Sequence, residues 1–134
     1  MKEIMVAVAT DNGRQFINRH FGDTRYFDLY KVTRSSILFI KRIENVVEGH
    51  EELHEDLEKA KGVAGLLKKE NVHVVVSKIF GPNIKRIKKK FVCVIMNDTS
   101  VKDALDRLQQ NRDMIIAEWE KGTDRNHCIL RKYD

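Results

Sequence analysis

Among the 134 residues of this chain, five histidines and two cysteines are the side chains best suited to hold a soft or borderline metal, and their spacing gives them different prospects. His20 opens a short His20-Phe21-Gly22 motif some positions after a Thr10-Asp11-Asn12-Gly13 turn. A lone loop histidine is more often a plain surface residue, and a metal ligand is the less common alternative for His20. His50-Glu51-Glu52-Leu53-His54 satisfies the H-E-x-x-H pattern, which on a helix puts two imidazoles on one side beside a glutamate. Glu48, Glu55, Asp56 and Glu58 surround it with a solvated acidic segment instead of the apolar helix of a zinc protease. Proteolysis is therefore not expected, and His50 and His54 remain only a candidate chelating pair on an exposed polar face. His73 interrupts an apolar run and reads as a strand residue facing a helix or solvent. His127 and Cys128 are adjacent and suited to adventitious metal, whereas Cys93 lies inside an apolar run and reads as a buried, inert thiol. Neither cysteine has a Cys-x-x-Cys neighbour, so no structural zinc site or disulfide framework is expected.

The elements that must position these residues follow from hydrophobic period. Residues 4–9, 72–76 and 91–96 are short, nearly continuous apolar runs rich in β-branched side chains, the signature of strands covered on both faces. Residues 26–32 and 37–43 mix aromatic, apolar and charged residues and are separated by Thr33-Arg34-Ser35-Ser36, which predicts an antiparallel hairpin at the sheet edge. Leu53, Leu57, Ala60, Ala64 and Leu67 form one helical stripe. A short helix is expected from Pro82, with Ile84 and Ile87 inward, because proline suits a first helical position. Ser100-Val101-Lys102-Asp103 has capping-box form before a helix burying Val101, Ala104, Leu105 and Leu108. Residues 112–120 read as helical, with Ile115 and Trp119 on one face; residues 127–132 read as a small extra strand or a tail. The sum is an α/β chain, a three-layer α/β/α sandwich around a mixed five-stranded sheet with an antiparallel edge hairpin and right-handed crossovers. Residues 1–111 are expected to form the core domain, and residues 112–134 an extension packing on it or trailing from it.

In such a sheet the loops at the carboxyl ends of the parallel strands line the favoured ligand crevice. Here they are residues 10–13, 77–83 and 97–100. Two lead into helices whose N-H groups favour an anion, and Lys78 adds positive charge; ordinary turn chemistry for Gly, Asn and Asp is the alternative. A metal-dependent nuclease would need converging carboxylates. Asp11 and Asp98 offer two, but Ser77-Lys78 puts none between them, so nuclease chemistry is not expected.

A hydrophobic fraction of 42% and a single proline exclude global disorder, and the longest apolar runs, six residues, are far too short to cross a bilayer. The first residues lack signal-peptide pattern, so a cytoplasmic protein is expected. The net charge of +5 is unevenly spread. Residues 44–58 hold seven acidic residues and no Lys or Arg, whereas residues 85–90 hold five basic residues in six. So short a basic block is weak support for nucleic acid, which is not an expected partner.

The stretches Lys2 to Gly13, His20 to Val32, Ala64 to Val76, Gly81-Pro82-Asn83 and Thr99 to Leu105 together resemble the dinitrogenase iron-molybdenum cofactor biosynthesis family, which includes NifX-like and NafY-like carriers and the C-terminal part of NifB. The resemblance covers about residues 2–108. It implies a ribonuclease H-like α/β sandwich without nuclease function, whose better-understood members bind iron-sulfur or iron-molybdenum clusters and hand them on. It also implies a site formed by Thr10, Asp11, His20, Phe21, Gly22, Gly81 and Pro82, to which the loop reading adds Lys78 and Asn83. Residues 45–48, 88–90 and 97–99 depart from the family pattern. The expected function is therefore a non-enzymatic carrier of a metal cluster, working with a protein donor or acceptor. The alternative is a protein- or nucleic-acid-interaction module using the basic block 85–90 with no metal cargo.

Overall fold

The structure, a computed structural model, describes residues 1–46 and 53–132, with the backbone alone for residues 53–60. The element order is β1 (Ile4–Thr10), β2 (Tyr26–Val32), β3 (Ile37–Glu44), α1 (Leu53–Lys68), β4 (Val74–Ser77), α2 (Ile84–Ile87), β5 (Val92–Met96), α3 (Val101–Gln110), α4 (Arg112–Trp119) and β6 (Cys128–Leu130). Single 3-10 turns cover Phe21–Asp23 and Gly122–Asp124. The strands form one sheet in the order β3-β2-β1-β4-β5-β6. β1 pairs antiparallel with β2 and β2 with β3, while β4, β5 and β6 run parallel to β1.

Period-two alternation sorts the strands between two cores. Ile4, Val6 and Val8 of β1 join Val74, Val92, Leu105, Leu108 and Ile115 on the α3 and α4 face. Ala7 and Ala9 join Val63, Leu67, Val75, Ile87 and Phe91 on the α1 and α2 face. Continuous apolar runs are thus the consequence of burial on both sides, as the central parallel strands require.

The α/β class, the mixed sheet and the edge hairpin appear as the sequence predicts; the strand count and the starts of α2 and β4 differ. The sheet has six strands, not five: Cys128–Leu130 pairs parallel with Val94–Met96. Three residues are too few to show a period, so this strand is fixed by its neighbour and not by its own pattern. α2 begins at Ile84, not Pro82, because Gly81 turns with φ +72° and the Ile84 and Lys85 N-H groups bond back to the Gly81 and Pro82 carbonyls. β4 begins at Val74, not Val72: Asn71 adopts the left-handed φ of 57° and the Val72 N-H returns to the Leu67 carbonyl, ending α1. Asparagine tolerates that backbone better than most residues.

The predicted stripe on α1 is seen at Ala64 and Leu67, both buried; the side chains of Leu53, Leu57 and Ala60 lie outside the described residues. The capped start of α3 matches expectation, with Ser100 Oγ accepting from the Asp103 N-H at 3.1 Å. Among the described residues no helix is long and apolar enough to cross a membrane.

Candidate functional site

The segment leaving β1 is held by its own side chains. Thr10 Oγ1 accepts from the N-H groups of Asn12 (3.3 Å) and Gly13 (2.9 Å) and donates to the Gln15 carbonyl (2.7 Å). Asn12 Oδ1 accepts from the N-H groups of Arg14 (2.9 Å) and Gln15 (3.0 Å). These bonds make a compact turn. The chain then crosses the carboxyl ends of the parallel strands: Val101 N-H donates to the Arg14 carbonyl at 2.8 Å and Phe16 N-H to the Thr99 carbonyl at 3.3 Å. Phe16 joins the α3-side core and Ile17 the α1-side core, so the crossing is anchored on both faces. Phe21 N-H finally donates to the Ile79 carbonyl at 2.8 Å. The crevice expected to stand open is therefore roofed by the segment between Gly13 and His20.

At the end of that roof Phe21 is fully buried, its ring 5.1 Å from those of both Phe27 and Phe80. This anchor fixes the backbone while the preceding His20 stays exposed. The His20 ring lies directly over Gly81: a Cβ at that glycine would stand 2.7 Å from His20 Nδ1 and 2.8 Å from Cε1. Gly81 also has positive φ, so both the turn and the approach of the imidazole demand glycine. The His20 ring nitrogens make no hydrogen bond among the described residues. Gly22 and Thr24 are tied to the end of β3, whose following Asn45 donates from Nδ2 to their carbonyls at 3.0 and 2.9 Å.

The other predicted residues divide. Asp11 bonds to Arg19 at 2.9 and 3.0 Å and accepts from the Arg25 N-H at 3.0 Å, so it braces the roof. Pro82 is exposed and Asn83 half-buried at the entry to α2, a helix of only four residues. Lys78 is half-buried and, with Ile95, Met96, Asn97 and Arg131, lines a cavity of about 280 Å³. At α3 the Val101 and Asp103 N-H groups are engaged by Arg14 and Ser100, so the helix start expected to face an anion is partly filled by the protein itself.

Two carboxylate pairs were not singled out from sequence. Asp28, 1% exposed, is held by Arg42 through Nε at 2.8 Å and Nη2 at 3.2 Å. The hydrogen bond to Asp28 raises the Arg42 pKa, and the guanidinium also covers the Tyr26 ring at 4.6 Å. Asp98 is likewise bound by Arg107 at 3.2 Å through two nitrogens. A period-two strand pattern with Asp28 on an inward position was the available signal. Beside Gly13, a cavity of about 700 Å³ opens between the hairpin and α3, lined by Tyr30, Ile37, Val101 and Leu105 among others. It belongs to the face opposite Phe21 and Phe80.

Among the described residues no three His, Cys, Asp or Glu side chains converge to hold a metal ion. His50 lies outside the described residues; His54 is on α1, but its side chain is outside them. Cys93 and Cys128 are free, buried and on opposite cores, and burial pushes the Cys93 thiol far up and that of Cys128 to about 11. His127 is exposed while Cys128 is buried, so the adjacent pair does not share a direction. His73 accepts from the Met5 N-H through Nδ1 at 3.0 Å and meets Trp119 edge-on, with ring centroids 4.9 Å apart. Burial lowers its pKa.

The sequence profile described as dinitrogenase iron-molybdenum cofactor matches residues 2–111. The chain belongs to this family. The iron-molybdenum cofactor family region therefore ends between α3 and α4, and α4 and β6 lie beyond it. Among solved structures, the 1.70 Å crystal structure of a Methanocaldococcus jannaschii protein described as a candidate dinitrogenase is 20% identical, with a TM-score of 0.58 over 83% of this chain and 92% of that one. An NMR structure of a protein with the same description, from Methanococcus jannaschii, gives 20% identity and a TM-score of 0.56, covering 84% and 92%. Identity at this level establishes a shared fold. No curated protein matches this family member.

Proposed function

We propose that this member of the iron-molybdenum cofactor family is a non-enzymatic carrier whose cargo is an iron-sulfur or iron-molybdenum-type cluster. The observation that carries the reading is the His20 ring, exposed and without a hydrogen-bonding partner among the described residues, poised over Gly81 where the loops after β1 and β4 meet. An imidazole whose nitrogens are not spent on the protein is available to a metal. Phe21 fixes its backbone, Thr10, Asp11 and Gly22 shape the loop that presents it, Gly81 lies against the ring, and Lys78, Pro82 and Asn83 join the reading from the same loop after β4. One protein ligand leaves the remaining cluster positions to cargo-borne ligands or to the partner that donates or accepts it, as delivery requires. His50 and His54 stand as a second candidate pair. The strand order β3-β2-β1-β4-β5, antiparallel then parallel, supports the ribonuclease H-like description, and two unpaired buried thiols suit a reducing cytoplasm.

Anaerobic reconstitution with an iron-sulfur cluster, followed by metal analysis and visible absorption, tests the reading. The wild-type chain should acquire stoichiometric metal and a charge-transfer band, and His20→Ala should weaken retention by about tenfold or more. No stoichiometric metal in the wild-type protein refutes it.

A further inference from the structure

The carboxyl end of the sheet holds a second feature, completed by a residue beyond the family region. Because β6 runs parallel to β5, its exit emerges at the same end as those of β4 and β5. The backbone there is locked to the loop after β5: Lys132 N-H donates to Asn97 Oδ1 at 2.7 Å, and Asn97 Nδ2 donates to the Lys132 carbonyl at 3.3 Å. Successive residues of an extended chain point opposite ways. Lys132 lines a recess containing Asp98, Asp103 and Asp106, whereas Arg131 lines the 280 Å³ cavity that Lys78, Ile95, Met96 and Asn97 complete. Among the described residues, the lining of that cavity contains two cations and no carboxylate. Neither Lys78 nor Arg131 has an ion-pair partner among the described residues. Asp98, one position from the cavity wall, is turned to Arg107 and 1% exposed. Ile95 and Met96 form an apolar floor, which strengthens a charge interaction above it.

The geometry points to an oxyanion-binding pocket between Lys78 and Arg131, fitted to a tetrahedral dianion of the molybdate, sulfate or phosphate type. Arg131 supplies a planar fork for two oxygens and Lys78 a single mobile charge. The cavity has room for such an ion together with ordered water. The pocket shares Lys78 with the carrier reading but needs no cluster and no contribution from His20.

Isothermal titration of the whole chain with molybdate, and separately with sulfate and phosphate, tests the pocket at moderate ionic strength. Saturable one-to-one binding is expected, and Arg131→Ala and Lys78→Ala should each weaken it by about tenfold or more, as loss of a charge-assisted bond implies. Arg131→Lys should recover part of the affinity, because charge returns without the fork. Lys90→Ala, in the basic block, and Lys102→Ala, at the 700 Å³ cavity, should bind as the wild type does. Circular dichroism confirms that each variant is folded, and Arg131 is exposed, so its replacement leaves the core intact. No saturable binding, unchanged binding in Arg131→Ala, or an equal loss in Lys90→Ala overturns the proposal. Failure of cluster reconstitution with retained oxyanion binding removes the carrier reading and leaves this pocket standing.

Discussion

Two histidines flank the same short strand, β4, and meet opposite fates. His73, just before it, has its Nδ1 engaged by the Met5 N-H and its ring edge-on to Trp119, which Arg125 also covers, 4.3 Å from the ring centroid. Arg125 in turn donates to the Trp119 and Lys89 carbonyls. That end of the sheet is closed by side chains that satisfy one another. His20, packed across the loop after β4, has its backbone fixed and its ring exposed. The lesson is one of donor and acceptor accounting: a histidine whose nitrogen completes the backbone ladder is structural, and one whose nitrogens remain unspent is available to a ligand.

The contrast can be broken from either end. Phe21→Ala should have the largest effect, about 3–5 kcal/mol of lost stability in chemical denaturation, because a fully buried ring between Phe27 and Phe80 leaves a cavity. It should also abolish metal retention after reconstitution, since His20 loses its anchor. Trp119→Ala should cost about 2–3 kcal/mol, since the ring is only half-buried, while leaving metal retention within about twofold. If Trp119→Ala abolished retention at unchanged fold, the two ends would not be independent. Gly81→Ala is smaller again, about 1–2 kcal/mol from its positive φ, but it should displace the His20 imidazole and weaken retention more than its stability loss predicts.

The smallest effect is one of pH. Burial holds the folded His73 pKa below its ordinary value of 6.5, so in that window the unfolded chain binds a proton that the folded chain refuses. Stability from this group is fully present above about pH 6.5 and declines as the pH falls toward the lower folded value. His73→Gln, whose amide oxygen can accept from Met5, should flatten that decline in denaturation curves compared between neutral and mildly acid pH. A wild-type decline equal to that of the variant would assign the acid sensitivity to other groups.

Much of the fold was legible because its signals are local. The runs containing Val6, Val75 and Val94 are apolar on both faces, and Ser100 caps its own helix three residues ahead. The sixth strand was harder, since Cys128–Leu130 has no period of its own and depends on β5 for its partner. In the candidate site, loop position and resemblance point to His20, Gly81 and Lys78, and the structure brings His20 against Gly81. The braces were not legible: Asn45 reaches Gly22, and Arg42 reaches Asp28, across 23 and 14 positions of sequence.

What the sequence determined by itself was which segments are strands and helices and which faces they bury, because alternation and helical period are properties of neighbouring residues. Only the tertiary structure decided which loops meet. The roof over the crevice depends on Phe16 reaching Thr99 and Phe21 reaching Ile79, and the cavity at Lys78 depends on β6 delivering Arg131. Such contacts follow from strand order and register, which place residues tens of positions apart within bonding distance and leave no periodic trace in the chain.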